Sequence, residues 1–232
     1  MRVLVTGAAG LLGRAVVPLL RERGHATIGV DSRADGDADF VFDLCEPATL
    51  RWILAQAKPQ IDAVVHLAGR RASVALQKQL AADLLLDNLA IDTSVFRAMR
   101  QFGVKRGVYA STVSVYRDRW SEVPIANGQP PFREEDADGF PDDSVRFSAW
   151  GKLTAERAVE AMNLQDGANI SVVRLVNTYG PGDNFGNDAL VIPSLIWRYL
   201  GETEPQLVGS DHERDFLYVD DAARGIVEAV GD

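Results

Sequence analysis

The sequence predicts a doubly wound α/β fold, a parallel sheet with helices on both faces. Three observations predict it. Short apolar runs alternate with longer stretches of helical spacing. The runs are nearly continuous in apolar residues, as strands covered on both faces should be. A glycine triplet, Gly7, Gly10 and Gly13, stands between the first run and the first helical stretch.

The elements follow in order. Val3-Leu4-Val5 is the first strand and ends at Thr6-Gly7. Residues 11 to about 23 carry helical spacing, and Pro18 inside them should bend the last turns. Residues 26–30 form a second strand ending at Asp31, and Phe40-Val41-Phe42 a third. A helix from 47 to about 57 opens on Pro47, suited to a first turn. Residues 63–67 are the fourth strand. Residues 74–102 read as one long helix or two, with Leu76, Leu80, Leu84, Val95, Met99 and Phe102 on the apolar face. Strands at 107–110 and 170–175 flank a helix over 148–164. Residues 117–144 break the alternation with four prolines and read as a surface excursion, either a flap or a solvated loop without a role. Residues 1–176 are expected to form the sheet domain, and 177–232 a partial lobe with one returning helix.

Composition narrows the function. At 232 residues with 47% apolar content, the core can be substantial without disulfides or a metal. A formal net charge of −9 argues against nucleic acid and anionic membrane partners. A single cysteine, Cys45, fits a reducing compartment, and the opening apolar run is too short for a signal peptide, so a cytoplasmic protein is expected.

The glycine turn carries the first chemistry. Gly7 would make the tight turn, Gly10 would admit a pyrophosphate, and Gly13 would allow close helix–strand packing. Ala9, Leu11 and Leu12 complete the turn, and the helix start offers unpaired N–H groups to phosphates. Asp31 stands where an acid accepts ribose hydroxyls and repels a 2′-phosphate, which favours NAD over NADP. Neighbouring Ser32 and Arg33 join the candidate cofactor residues, and Arg33 is the counter-argument for NADP. Asp43-Leu44 should lie near the adenine, with helix capping by Asp43 an equal alternative.

Five segments together resemble a known family. They are the GxxGxxG turn from Thr6 to Gly13, His66-Leu67-Ala68-Gly69, Ser111-Thr112-Val113-Ser114-Val115-Tyr116, Asn177-Thr178-Tyr179-Gly180-Pro181-Gly182, and Arg214-Asp215-Phe216 with Val219 and Asp221. The chain resembles the extended short-chain dehydrogenase/reductases, and within them the NAD-dependent epimerase/dehydratase group that acts on nucleotide sugars. The resemblance implies a Rossmann-type sheet and a cofactor site that includes Leu67, Ala68, Gly69, Asn88, Ala110, Ser111 and Lys152. It implies that Thr112 bonds the reacting oxygen and that Lys152 holds the nicotinamide ribose. It further implies that Asn177 contacts the sugar nucleotide and that Arg214 binds its diphosphate. It implies a homodimer through the helix ending near Phe102 and the helix carrying Lys152. The runs Leu84-Leu85-Leu86 and Val95-Phe96 look richer in apolar residues than one buried face requires.

Two departures stand against that pattern. The family's base is a Tyr four residues before the Lys, and here that position is Ser148. Tyrosine, with a pKa of about 10, can be drawn toward neutrality by an ammonium, whereas a serine hydroxyl is a far weaker acid. Three routes stay open: an inactive natural or engineered variant, a water relay held by Ser148 and Thr112, or Glu134 or Glu135 entering from the excursion. The second departure is length, because the family continues beyond the Arg214 segment and the substrate lobe is therefore expected to be cut short. The reading is an NAD-dependent nucleotide-sugar epimerase/dehydratase. The alternatives are a catalytically impaired NAD-binding module and a reductase of a smaller carbonyl compound.

Overall fold

The computed structural model of the chain describes residues 1–72, 74–116, 133–137, 147–186, 189–201 and 215–231. Six parallel strands make the main sheet: β1 (Arg2–Thr6), β2 (Ala26–Asp31), β3 (Phe40–Val41), β4 (Ala63–His66), β5 (Arg106–Thr112) and β6 (Asn169–Leu175). Their spatial order is β3-β2-β1-β4-β5-β6, the doubly wound arrangement expected. The direction of winding reverses between β1 and β4, whose register pairs Thr6 with His66. A crevice for ligands opens at the carboxyl ends of strands at such a reversal.

Helices cover both faces. On one side α2 (Pro47–Gln56), α4 (Ala81–Phe102) and α5 (Phe147–Asp166) bury Leu50, Ile53, Val95, Phe96, Met99 and Val159 against the sheet. On the other, α1 (Leu11–Glu22) packs with α7 (Val219–Val230), and Val16, Val17, Leu20, Ile226 and Val227 meet Val3, Val5 and Val65. A short α3 (Val74–Gln79) precedes α4. Strands β7 (Asn177–Tyr179) and β8 (Phe216–Tyr218) form a separate parallel pair, and α6 (Val191–Leu200) lies between them in the chain. Neither β7 nor β8 stands out in the sequence by apolar periodicity, having three residues each.

Local expectations are adjusted at several points. The 74–102 stretch is two helices, broken at Leu80, which is exposed at the start of α4 rather than on its buried face. Gly103 ends α4 at φ 69°, a left-handed conformation that glycine adopts without strain. Helix α1 runs through Pro18, which lies on the exposed side, and ends at Glu22. Strand β3 stops at Val41, and Phe42 instead donates its N–H to Asp31 O at 2.8 Å. Val95 and Phe96 are both buried within the chain, so their apolar character serves its own core. Most of the 117–144 excursion lies outside the described residues. Among the described residues no helix is long and apolar enough to cross a membrane.

Helix α7 ties the end of the chain to its beginning. Ile226 is fully buried against the β1 face. Ile226→Ala is expected to lower unfolding free energy by about 3 kcal/mol, the usual scale for such a core truncation. Urea titration followed by circular dichroism measures it.

Candidate active site

The turn after β1 is built around contacts that leave no room for side chains. Gly7 has φ 74°, and a Cβ there would stand 2.7 Å from Ala68 N. A Cβ on Gly13 would stand 2.2 Å from Gly7 O, so helix and strand could not close as they do. At Gly10 a Cβ would meet Gly7 O at 3.1 Å and otherwise little, leaving an open face beside the start of α1. That face, next to unpaired helix N–H groups, fits a pyrophosphate.

Asp31 ends β2 with its side chain 8% exposed. Its carboxylate accepts N–H bonds from Ala9 and Arg33, both at 3.0 Å. Oδ1 also accepts from Arg33 Nε at 3.5 Å, while Oδ2 keeps a lone pair for a hydroxyl. Ser32 beside it is exposed. Arg33 folds back, its guanidinium donating to Ala9 O and lying 3.5 Å from Asp31. Asp43 accepts from Cys45 N–H at 2.9 Å, a local turn, and Glu46 rather than Asp43 stands at the cap position of α2. The Leu44 side chain is core.

Beyond the turn, a chain of buried polar groups crosses the sheet. Ala68 N–H donates to Thr6 Oγ1 at 3.3 Å, and Thr6 Oγ1 lies 2.7 Å from His66 Nδ1. His66 Nε2 lies 3.0 Å from Asp92 Oδ1, and the Tyr109 hydroxyl donates to Asp92 Oδ2 at 2.9 Å. Burial holds the His66 pKa below its ordinary value, so the ring is neutral. Desolvation alone would raise Asp92. The His66 hydrogen bond, the field of Lys152 and the Tyr109 hydroxyl outweigh it and hold Asp92 below the usual range. Burial, then the Asp92 charge, pushes the Tyr109 phenol up. The proton directions follow. Asp92 accepts twice, His66 carries its proton on Nε2, and Thr6 donates to Nδ1.

Lys152 sits above this chain. Its Nζ donates to Ala110 O at 2.9 Å and lies 4.5 Å from the Tyr109 ring centroid. Burial pushes its pKa down, while Asp92 and then Glu156 pull it back up. A second ion pair, between buried Glu156 and half-buried Arg174, lies alongside. Glu156 accepts from Ser111 Oγ and from Arg174, whose Nη2 stands 2.8 Å away. Arg174 also donates to Glu134 O at 3.0 Å and covers the Tyr116 ring.

Comparison with known proteins agrees with this geometry. A model of the NAD-dependent epimerase/dehydratase family matches residues 3–232. The chain belongs to that family. It is 31% identical to UDP-glucuronate 4-epimerase of Thermodesulfobacterium geofontis, over 98% of this chain and 71% of that one. Its fold superposes on UDP-glucose 4-epimerase of Thermotoga maritima, solved with UDP-glucose. The TM-score is 0.82 at 25% identity, covering 100% of this chain and 74% of the other. The Thermus thermophilus UDP-glucose 4-epimerase, solved in complex with NAD, gives 0.82 at 26% identity, covering 100% and 75%.

The structure brings most of the anticipated residues of this NAD(P)-dependent family member to one end of the sheet. Leu67, Ala68 and Gly69 leave β4 beside Gly7. Asn88 is buried and clamps that loop, accepting from Arg70 N–H at 2.7 Å and donating to Arg70 O at 2.9 Å. Thr112 ends β5, and its Oγ1 accepts from Ser114 N–H at 3.2 Å. Ser148 lies half-buried in the first turn of α5, one helical turn before Lys152 and on the same face. Asn177 instead donates to Asp215 O at 2.9 Å, joining β7 to β8. Arg214 lies outside the described residues. Glu134 is tied to Arg174 through its carbonyl, and the Glu135 carboxylate lies 3.8 Å from Arg133.

Sequence reasoning missed Asp92, Tyr109, Glu156 and Arg174. Asp92 left one signal, an acid inside the buried stripe that contains Ile91, Val95, Phe96 and Met99. Ser111 was expected to line the cofactor, and its hydroxyl is instead spent on Glu156.

The neutral His66 sets a pH dependence. Its folded pKa lies below the ordinary 6.5, so the unfolded chain binds the proton first on acidification. Stability is therefore expected to fall as pH drops below about 6.5, and again below the ordinary carboxyl range as Asp92 protonates. Thermal melts across that range, with His66→Gln showing a flatter first limb, measure it.

Proposed function

We propose that the chain binds NAD and holds a nucleotide sugar against it for hydride exchange at a sugar carbon. The supporting observation is Lys152, a half-buried lysine whose Nζ donates to Ala110 O at 2.9 Å and stands 3.8 Å from where a Cβ on Gly69 would lie, at the carboxyl ends of β4 and β5. Bound NAD supplies the hydride acceptor and donor. The chain's own residues do the rest. The start of α1 and Gly10 receive the pyrophosphate, and Asp31 accepts the ribose hydroxyls. Lys152 holds the nicotinamide ribose. Thr112 turns its hydroxyl from Ser114 to the reacting oxygen. Asn177 and Arg214 serve the sugar nucleotide and its diphosphate.

NAD is favoured over NADP because the Asp31 carboxylate repels a 2′-phosphate, and Arg33 is already committed to Ala9 O and Asp31. A homodimer is proposed from the outward stripes of α4 and α5, where Leu86 is 64% exposed and Leu164 88%. Light scattering should then return twice 25.3 kDa.

Ser148 favours a second reading, an NAD-binding module with impaired turnover. A serine hydroxyl next to Lys152 does not become a base at neutral pH, and it is shorter than a phenol. A third reading, reduction of a smaller carbonyl compound, gains if Arg214→Ala leaves turnover unchanged.

The unaltered chain is expected to bind NAD at least about tenfold more tightly than NADP, since a shift of 1.4 kcal/mol suffices. Ser148→Tyr is expected to raise turnover of nucleotide sugars by about 10²-fold or more, the scale of one general base. Equal turnover before and after the substitution would overturn the account of Ser148. NAD binding with no turnover in either form would leave the binding module.

A further inference from the structure

We infer that Asp92 is a positioning residue for Lys152: its buried carboxylate is the counter-charge that keeps the lysine an ammonium docked on Ala110 over the Tyr109 ring. The inference rests on Lys152 being the cation of the proposed site.

The charges leave one assignment. Among the described residues, four charged side chains lie together behind the site: buried Asp92 and Glu156, and half-buried Lys152 and Arg174. Glu156 takes three hydrogen bonds from Arg174, at 3.2, 3.2 and 2.8 Å, so those two charges balance each other. His66 is neutral and contributes none. Among the described residues, Asp92 is the carboxylate left to balance Lys152. It is 3% exposed and has no other cation beside it.

The pair does not touch directly, and that separation has a purpose. Tyr109 stands between them, donating its hydroxyl to Asp92 and offering its ring face to Nζ. A phenol that donates to an anion becomes more electron-rich, which strengthens attraction of a cation to its face. A direct salt bridge would draw Nζ down into the sheet and off Ala110 O. With the phenol interposed, the negative charge acts through it while the ammonium stays at the cofactor side. The groups facing Lys152 are Asp92 from α4, Tyr109 from β5, neutral His66 from β4, and Glu156 from its own helix α5.

The same geometry predicts what removing the charge does. In Asp92→Asn the amide oxygen still accepts from Tyr109, and the amide N–H₂ now faces His66 Nε2. The imidazole proton must move to Nδ1, pointing at Thr6. The chain of hydrogen bonds survives with its His66 tautomer reversed, so the variant should fold.

The test is a pH titration of ¹³C-labelled lysine side chains in the full chain, which has four lysines to assign. In Asp92→Asn the Lys152 midpoint is expected to fall by about one unit or more, and ¹⁵N spectra should show the His66 proton on Nδ1. Tyr109→Phe keeps the charge and should shift the Lys152 midpoint less than Asp92→Asn does. An unchanged Lys152 midpoint in Asp92→Asn would overturn the inference. Should Asp92→Asn fail to fold, the unaltered chain decides: Lys152 still charged at about pH 8 supports the role, and titration below about pH 7 overturns it. These readouts need no cofactor. Failure of the unaltered chain to bind NAD would therefore sink the proposed function and leave the Lys152 result standing.

Discussion

The crevice between β1 and β4 exists because no Cβ stands in it. Gly13 lies so close to Gly7 O, and Gly7 to the Ala68 backbone, that any side chain would push α1 off the sheet or the β4 loop off the turn. Everything at the site is measured from that contact. It brings Ala9 N–H within reach of Asp31, which sets the end of β2. It brings Ala68 N–H onto Thr6, which starts the buried chain through His66 to Asp92. The glycine turn is therefore both a phosphate-sized opening and the fixed end of the polar network that reaches Lys152.

That network is costly to bury, and its arrangement accounts for its persistence. A lone buried carboxylate would protonate or be driven out, but Asp92 receives donors from His66 and Tyr109. Glu156 receives Ser111 and Arg174. The rings of His66, Phe96 and Tyr109 pack with centroids 5.5–5.8 Å apart around Asp92, which is buried. A dry surrounding strengthens the field of Asp92 on Lys152 beyond what it would be at the surface. Asn88 satisfies both backbone groups of Arg70 and so fixes the loop that follows β4.

The sheet was legible because its strands are continuous apolar runs separated by helical spacing, and that pattern survives any detail of packing. The glycine turn was legible because its spacing admits few other geometries. Leu80 was misassigned because periodicity runs smoothly through it, and only tertiary placement of α3 breaks the helix there. Strands β7 and β8 have three residues each, too short for an alternation to show. Asp92 and Glu156 were illegible for a different reason. Their roles come from partners on other elements, His66 on β4 and Arg174 on β6, and sequence spacing within one helix holds no record of those partners. Asn177 was read through its motif, which holds no record of the bond one of its amide N–H groups makes to Asp215 O across the β7–β8 pair.

The charge balance also bears on what Ser148 does to the chemistry. In a site with a phenol one turn before the lysine, the ammonium would lower the phenol's pKa and so create the base. Here that same charge acts on hydroxyls too weakly acidic to respond. Thr112 and Ser148 can pass a proton along but cannot take one up and hold it at neutral pH. Lys152 could take one up only as the neutral amine, a form that a counter-charge from Asp92 would oppose. On the proposed reading, the same charges that would fix a ribose at this site would leave it without a resident base. On that reading, affinity for the cofactor and speed of turnover are therefore expected to separate in this chain.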